Sequence, residues 1–505
     1  MNKLKIIYFF LGVFVISSCS KFLDREPISI PTDVNFWKNE KDATAAIAGV
    51  YDLQRKSFNE AIAFYAYGDF ASDEFIPNLS GEDWASVAGM NWSASIPTSS
   101  TYRSLMKLRR FDNFYKTINS ANRCLKYIPQ IPESEFTTSN PASVKNKLIG
   151  EAYFMRAFNY FYLSRVWGDV PLVLEAEEDI TQAAPMPRIP QKEVLDQAIK
   201  DLRTAIPMLP WGYPIASDRA VRANRGAAYA LLAHIYAWRG EYNDCAIAAD
   251  SVLTKGGYSF VSRSSYNSYL SIFKGKSNEG IFEIAQSSDN ESSGSGNRAT
   301  AEFIAFKTLK SPYLLTITGN AVFTLEKSTV TSLFPDTTDL RVKNMFAFFN
   351  TTDPITLKYS NIKYTAFNSQ GVGTSPLAQS NIIVFRYSDI VLLKAEAAAA
   401  TGNFGEARTL LNSVRNQASA GATTATDDKL FETIIAERGR ELFMEGHRFY
   451  DLIRLMRAKG INKFAPSNRM SDAEFQAGKY YWPIDPLLIQ TNSTFVQTPF
   501  WRDKM

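Results

Sequence analysis

The densest group of side chains that could do chemistry lies near the C-terminus, in the stretch ERGRELFMEGHRFYDLIRL. Glu437, Glu441 and Glu445 are four residues apart, so a helix would place all three on one face. These carboxylates could bind a metal ion, and Glu445 with Asp451 could form an acid/base pair. The interleaved arginines favour a structural role, because guanidinium groups pair with carboxylates within and between helices. They are Arg438, Arg440, Arg448 and Arg454.

Histidine is rare, with two residues in the whole chain. His234 lies in a helix-like segment before Gly240, and His447 follows Gly446 in the charged stretch. Two histidines exclude a histidine-rich metal site and disfavour a histidine general base. The sequence also lacks G-x-G-x-x-G, phosphate-loop and G-x-S-x-G patterns. We therefore expect no catalytic residues, no metal and no cofactor.

The N-terminal segment has the layout of a secretory signal peptide. Lys3 and Lys5 give it a positive start, an apolar run covers residues 6–16, and small residues follow. A membrane-spanning helix needs about 20 apolar residues, so this run is too short to remain as an anchor. We predict that residues 1–18 direct export and are then removed.

Cys19 is the residue that gives this segment its chemistry. The four residues from Ile16 to Cys19 are similar to a bacterial lipobox, which implies cleavage before Cys19 and acylation of its sulfur and new amine. Two or more acyl chains hold a protein stably on a membrane, so residues 19–31 would form a lipidated tether. The alternative is an ordinary signal peptide that ends in cysteine. Cys124 and Cys245 lie in helix-like segments, where a free cysteine usually packs as a small apolar residue.

Helix pairs are the elements that must position these residues, because similar segments recur along the chain. Residues 230–253 and 391–414 each have a helical run, a Gly at the turn and a second run with a small residue five positions later. This pattern resembles tetratricopeptide (TPR) units. Segments 40–58, 111–129 and 151–173 have the apolar spacing of further helices. We predict a mostly α-helical fold, in which about four TPR-like helix pairs carry large, irregular, loop-rich insertions.

Two long insertions interrupt the predicted helices. Residues 68–102 are rich in Gly, Ser, Asn and Trp, and residues 287–325 begin with the loop-like run SSDNESSGSGNRAT. Loops of this length are usually functional or disordered. We expect an N-terminal part over 32–275, with three helix pairs and the first insertion. The C-terminal part, 276–505, would hold the second insertion, the fourth pair and the charged stretch.

The composition is that of a nearly neutral chain with many aromatic residues. The formal charge is +4, from 55 Lys and Arg against 51 Asp and Glu, which gives no electrostatic argument for nucleic-acid binding. No later apolar run approaches membrane length, so we expect no second anchor. Aromatic residues make up 13% of the chain, a high share that draws attention to those in the insertions.

Seven short motifs follow one another from end to end. They are CSKFLDREP from Cys19, FWKNEKDATAAIAGVYD from Phe36, GEAYFMRAFNYFYLSRVWGDVPLV from Gly150, RGAAYALLAHIYAWRGEYNDCA from Arg225, RYSDIVLLKAEAAAATGN from Arg386, ERGRELFMEGHRFYDLIRL from Glu437 and YYWPIDPLLIQTNSTFVQTPFW from Tyr480. Each alone is a weak pattern, but seven in order form a specific signal. The chain thereby resembles the SusD/RagB family of outer-membrane nutrient-uptake lipoproteins of Bacteroidetes.

The resemblance implies a SusD-like fold and a binding role without hydrolytic activity. Family members pair with a TonB-dependent, SusC-like barrel transporter and bind starch or other glycans, or peptides in some cases. We therefore expect a lipid anchor in the outer membrane, an orientation towards the cell exterior, and delivery of an oligosaccharide or polysaccharide to the transporter. The exterior orientation rests on the resemblance, because residues 20–26 are only weakly acidic.

Aromatic and polar residues in the insertions are the candidates for glycan contact. A sugar ring has an apolar face that stacks on Trp or Tyr, and hydroxyls that Asn, Asp or Arg can bind. The insertions vary within the family, so no site residue transfers by motif. The nominated residues are Trp84, Trp92, Asn91 and Asp73 in the first insertion and Tyr313 and Phe303 in the second. For each tryptophan, packing beneath its own loop is the alternative.

Two alternatives to glycan capture remain open on the sequence. Peptide capture, as in RagB-like members, would favour polar pockets with charged rims over an aromatic platform. A surface glycoside hydrolase would need two carboxylates about 5–10 Å apart. Asp73 with Asp83 or Glu74 is the loop cluster that could supply them.

Overall fold

The structure is a computed structural model. It describes residues 36–76, 83–95, 104–178, 184–213, 215–286, 304–305, 307–313, 323, 325, 327–351, 354–364, 376–378 and 380–505. Cys19 and Phe303 lie outside the described residues, so the predictions made for them stay predictions.

Helices dominate the described chain, and the strands are short. The helices are α1 (Glu40–Asn59), α2 (Ala63–Gly68), α3 (Trp84–Ala88), α4 (Ser104–Leu108), α5 (Asp112–Tyr127), α6 (Pro141–Trp167), α7 (Gln191–Met208), α8 (Arg225–Arg239), α9 (Tyr242–Lys255), α10 (Tyr266–Lys274), α11 (Lys327–Leu333), α12 (Leu340–Met345), α13 (Tyr387–Ala400), α14 (Phe404–Gln417), α15 (Asp427–Glu441), α16 (Arg448–Lys459), α17 (Asp472–Gln476) and α18 (Pro486–Thr491). The strands are β1 (Gly280–Ile284), β2 (Phe346–Ala347), β3 (Ile355–Thr356), β4 (Ile362–Tyr364), β5 (Pro376–Ala378) and β6 (Ile382–Arg386).

Four helix pairs stack one on the next, which confirms the predicted scaffold. The pairs are α1 with α5, α6 with α7, α8 with α9, and α13 with α14, and each pair packs on its neighbour. Helix α9 packs on α13, so the third and fourth pairs are neighbours although the second insertion separates them in the chain. Helices α15 and α16 extend it beyond the fourth pair. Within the described ranges, no helix is both long and apolar enough to cross a membrane.

The turns inside the third and fourth pairs explain why the sequence repeats there. Gly240 and Gly402 have φ values of +75° and +82°, which glycine adopts without the strain that a side chain would add. The small residue five positions after each glycine, Cys245 or Ala407, is fully buried. Its size lets the second helix of the pair approach the first closely.

Three two-stranded antiparallel sheets lie between the third and fourth helix pairs of the chain. β1 pairs with β6, with Phe282 opposite Phe385 and Ile284 opposite Ile382. β6 leads directly into α13, so this ladder holds the strand that precedes the second insertion at the start of the fourth helix pair. The other two sheets pair β2 with β3 and β4 with β5.

The core contains a network of buried charges centred on Arg386. Its Nε donates to Glu445 (2.6 Å), and its Nη1 donates to Glu279 and Glu441 (both 2.8 Å). Lys358 Nζ adds a second contact to Glu445 (2.6 Å). Burial works to raise the pKa of Glu441, but the surrounding arginines outweigh it and hold that pKa well below its usual value. Removing one partner from such a pair costs about 3–5 kcal/mol.

The first insertion docks against the turn between α15 and α16 through two backbones in close contact. A Cβ on Gly68 would lie 2.3 Å from the carbonyl oxygen of Gly446, and a Cβ on Gly446 would lie 2.4 Å from the Phe64 ring. Asp69 accepts a hydrogen bond from the Gly446 N–H (2.8 Å). Neither position can therefore hold a side chain without displacing its neighbour, and Gly446 also has a φ of +76°.

The two histidines, which the sequence places far apart, lie together in the core beside Asp389. His234 Nε2 is 2.8 Å from Asp389 Oδ2, and the His447 ring stacks on His234 with centroids 5.6 Å apart. Arg438 donates to the other Asp389 oxygen (2.9 Å). Burial lowers the pKa of His447 to about 4. The cluster therefore folds with His447 neutral.

Gly446→Ala is expected to destabilise the fold by about 2–4 kcal/mol, because the methyl would overlap the Phe64 ring and the residue is left-handed. Gly405→Ala is the matched control, since a Cβ there meets no atom within 4 Å and alanine suits a helix. Urea unfolding of both variants measures the difference. Equal stability of the two variants would contradict the close approach of these backbones.

Acidification is expected to remove stability through His447. The unfolded chain, in which histidine titrates near pH 6.5, binds the proton more tightly than the folded chain. The contribution is therefore complete above about pH 6.5 and is lost as the pH falls towards 4, with a loss of about 2 kcal/mol by pH 5. Unfolding of the wild type and His447→Gln at pH 7 and pH 5 measures it. An equal loss in both proteins would contradict this assignment.

Candidate functional site

The two insertions meet through an aromatic cluster that contains one of the nominated residues. Trp84 contacts Phe70 and Phe323 with ring centroids 5.5 and 5.4 Å apart, and Phe70 contacts Phe323 at 5.0 Å. The first two residues belong to the first insertion and Phe323 to the second. Trp84 is 2% exposed, so its ring joins the insertions and presents no face to a ligand. The expectation of an exposed stacking ring is corrected here.

Trp92 is also a core residue. Its ring stacks on Trp482 with centroids 4.1 Å apart, and its indole N–H donates to the Val87 carbonyl (2.9 Å). Arg109 Nε donates to the Trp92 carbonyl (2.7 Å). The side chain is fully buried, so it offers no stacking face either. Both tryptophans follow the packing alternative, because burial of a large aromatic surface stabilises more than exposure.

The polar nominees of the first insertion lie nearer the surface. Asn91 is exposed, directly before the buried Trp92. Asp73 is half-buried, and Arg448 donates to both of its carboxylate oxygens (2.7 and 2.8 Å). Burial works to raise the pKa of Asp73, but the charge and hydrogen bonds of Arg448 outweigh it and lower that pKa.

Tyr313 lies in a partly exposed aromatic patch, which we define as Lys310, Tyr313 and Phe348. The half-buried Tyr313 ring is 6.3 Å from the Phe348 ring, which is 40% exposed, and Lys310 Nζ lies 5.0 Å from the Phe348 centroid. Phe348 has a φ of +56°, a conformation that costs a non-glycine residue about 1–2 kcal/mol. Strain of this kind recurs at ligand sites.

A polar cleft of about 440 Å³ opens beside α11. That volume is in the range of small-molecule sites, about 300–1,000 Å³. Lys327, the first residue of α11, donates to the Asn350 carbonyl in the turn that carries Phe348 (3.2 Å), which connects the cleft wall to the patch. The cleft is lined by Asp73, Ser328, Thr329, Ser332, Leu333, Glu432, Ile435, Ala436, Arg440, Arg448, Leu455 and Lys463.

The cleft combines hydroxyl groups with ion pairs. Ser328, Thr329 and Ser332 lie along α11, with both serines exposed. Lys463 pairs with Glu432 (2.8 Å), as Arg448 does with Asp73. A wall of hydroxyls and paired charges can donate and accept hydrogen bonds along a polyhydroxylated ligand.

The charged stretch serves the core, which supports the structural interpretation over metal binding or acid/base chemistry. Glu437 forms ion pairs with Arg341, Arg415 and Arg440 at 2.7–2.8 Å, and these arginines outweigh burial and lower its pKa to about 2. Asp451 pairs with Arg438 (2.9 Å). Glu441 and Glu445 are similarly enclosed by cations.

The buried cluster of His234, Asp389 and His447 is the arrangement closest to a metal site within the described part of the chain. Its three ligand atoms lie within 4.8 Å of one another. Arg438 approaches Asp389 from the other side, so a dication would be opposed by a guanidinium charge. The geometry fits a hydrogen-bonded core cluster better than a metal site. The sequence did not indicate that the two histidines lie close together.

Phe348 and the hydroxyls of α11 are candidate functional residues that the sequence interpretation missed. The sequence offered one signal for Phe348, which is its place in the aromatic stretch FAFFN. In the structure, Phe346 and Phe349 of this stretch are buried, while Phe348 and Asn350 are exposed. The α11 hydroxyls carried none, because Ser and Thr are common on solvated helix faces.

Two family models match the chain. The model described as "Starch-binding associating with outer membrane" matches residues 21–237, and the model described as "SusD family" matches residues 347–501. The second match includes β6, the fourth helix pair and the charged stretch, and the first includes the first two pairs and most of α8.

Relatives align over nearly the whole chain. SusD-like protein P38 of Formosa agariphila is 27% identical and covers 93% of each chain. The crystal structure of a SusD homolog from Bacteroides thetaiotaomicron is 28% identical, with a TM-score of 0.76 over 92% of this chain and 100% of that one. A laminarin-binding SusD-like protein, 22% identical, shares the fold with a TM-score of 0.72 over 92% and 100% of the two chains. The chain belongs to the SusD/RagB family.

Proposed function

We propose that this protein is a lipoprotein on the outer face of the outer membrane that captures an oligosaccharide and delivers it to a TonB-dependent, SusC-like transporter. The observation that carries the proposal is the combination of an aromatic patch with a polar cleft. Asp73 of the first insertion lines the cleft, and the hydrogen bond from Lys327 to the Asn350 carbonyl links α11 beside the cleft to the turn of Phe348 in the patch.

The aromatic patch supplies the apolar half of a sugar site. Tyr313 and Phe348 meet edge to face, with ring planes at 79°. A sugar could stack its C–H face on one ring while the other limits its tilt. The Tyr313 hydroxyl adds a polar group at the same place. Of the nominated residues, we retain Tyr313, Asn91 and Asp73 as proposed contacts and add Phe348.

The polar cleft supplies the hydrogen-bonding half of the sugar site. Arg448 is held by Asp73, and Lys463 by Glu432, so these groups are oriented before a ligand arrives. Pre-oriented groups lose little entropy on binding, which favours affinity for a ligand that must give up much hydration.

The same contacts argue against hydrolysis. A retaining or inverting glycosidase needs one carboxylic acid that can donate a proton and a second carboxylate nearby. Arg448 occupies both oxygens of Asp73, and Glu74 is fully buried, where it accepts from the Met444 N–H (3.1 Å). Asp83 accepts from the Leu105 N–H. Capture without cleavage is therefore the favoured chemistry.

Family membership supports the remaining parts of the proposal. The family model over 21–237 carries the words starch-binding and outer membrane, and one relative of the same fold binds laminarin. We assign the anchor to Cys19, two residues before that match begins. Peptide capture is the second candidate, favoured by the charged pairs that rim the cleft.

The double substitution Tyr313→Ala with Phe348→Ala is expected to weaken oligosaccharide binding about tenfold or more, because the stacking surface is lost. Leu487→Ala, which trims another exposed apolar side chain (54% exposed), is the control. Calorimetry with laminarin and starch oligosaccharides measures affinity, and circular dichroism checks that helix content is unchanged.

Three outcomes would contradict the proposal. Unchanged binding in the double variant would place the site elsewhere. Binding of peptides in place of every glycan tested would support the peptide alternative. New reducing ends after incubation with oligosaccharides would identify a hydrolase.

Cys19→Ser is expected to abolish incorporation of labelled fatty acid and to move the protein from the membrane fraction to the soluble fraction. The physical reason is the loss of the acyl chains that hold the protein on the bilayer. Cys124→Ser, at a buried cysteine of α5, is the control that should leave the anchor intact. Protease treatment of intact cells tests the exterior orientation. Membrane retention of the Cys19→Ser protein would refute the anchor.

A further inference from the structure

A second cleft, distant in the chain from both insertions, lies on the helical scaffold. It has a volume of about 510 Å³ and opens between the start of α7, the turn from α8 to α9, and the last turn of α16. We call it the scaffold cleft. It is lined by Gln191, Ala237, Trp238, Arg239, Gly240, Tyr242, Arg454, Arg457 and Ala458.

The lining of the scaffold cleft is cationic, with three arginines and no acidic residue. Arg239 pairs with Asp196 and Glu241 (2.6 and 2.7 Å), and these acids lie outside the lining. Arg454 is neutralised from behind in the same way, by Glu396 and Asp451, and is buried. Two of the three charges are therefore matched.

Arg457 carries the unmatched charge. Its side chain is exposed, and no carboxylate among the described residues lies within ion-pair distance of it. Its guanidinium lies 4.1 Å from the Trp238 ring centroid and 5.3 Å from that of Tyr480. Nη1 donates to the Trp238 carbonyl (3.1 Å), and Nη2 reaches the Tyr481 hydroxyl (3.3 Å). The cation is thus held in one place by aromatic and backbone contacts.

Trp238 fixes Arg457 at the cleft. The residue is 3% exposed, and its ring is the one that the guanidinium contacts. The last turn of α16 also favours a cation at Arg457 through the helix dipole. An anion at this cleft would pair with the Arg457 charge.

We infer that the scaffold cleft is a second ligand site, which binds the carboxylate or sulfate group of an acidic saccharide. Arg457 supplies the charge, and the Trp238 ring holds the guanidinium in place. Tyr242 and Tyr480, both half-buried, provide ring surface for the sugar. The saccharide class rests on the proposed function, whereas the preference for an anion rests on the charges of this cleft alone.

Calorimetry on the mature protein tests the inference with four probes: glucuronate, glucose 6-sulfate, glucose and inorganic sulfate. Glucuronate, the sulfated sugar or both are expected to bind, and glucose is expected not to bind at this cleft. Arg457→Gln should weaken binding at least tenfold. Lys459→Gln is the control, because it removes the same charge from the same helix outside the cleft lining.

The pattern of results separates this inference from the proposed function. Loss of binding in Arg457→Gln but not in the Tyr313→Ala, Phe348→Ala protein supports a separate anionic site, whatever happens at the insertions. Equal losses in Arg457→Gln and Lys459→Gln would overturn it, as would the absence of binding by either acidic sugar. Inorganic sulfate that binds as tightly as both sugars would overturn the saccharide assignment.

Discussion

Pairing of buried charges is the constraint on which this structure depends. An isolated charge is too costly to place in a protein interior, so each buried guanidinium must meet carboxylates with good geometry. Arg386 meets three of them, and Glu437 in turn forms ion pairs with three arginines. Since the partners come from distant parts of the chain, the buried charges can be paired only when the fold brings these parts together.

The network explains how a regular scaffold can carry irregular insertions. Glu279 and Arg341 flank the second insertion, while Glu441 and Glu445 belong to the charged stretch. The first insertion reaches the same stretch through Asp69 and the close backbone contact at Gly446. Both insertions are therefore anchored at their bases, so their outer residues can serve ligand binding without holding the fold together.

Much of the fold was predictable from local patterns, because they depend on residues close in sequence. Gly240 and Gly402 followed by Cys245 and Ala407 indicated helix pairs, and ordered motifs indicated the family. The site was predictable only in part. Asp73 and Tyr313, both half-buried, stay proposed contacts, but Trp84 and Trp92 are core residues, and Phe348 was not nominated.

The difference has a physical reason. A helix period or a turn glycine acts over a few residues, so the local order of the chain is enough to indicate the helical scaffold and the family. Whether a tryptophan in a loop faces water depends on what packs against it. Trp92 is covered by Trp482, which lies almost four hundred residues away in the chain. Arg457 likewise contacts Trp238, which belongs to another helix. The exposure of a side chain and the pairing of its charge depend on contacts between distant parts of the chain, so only the tertiary structure decides them.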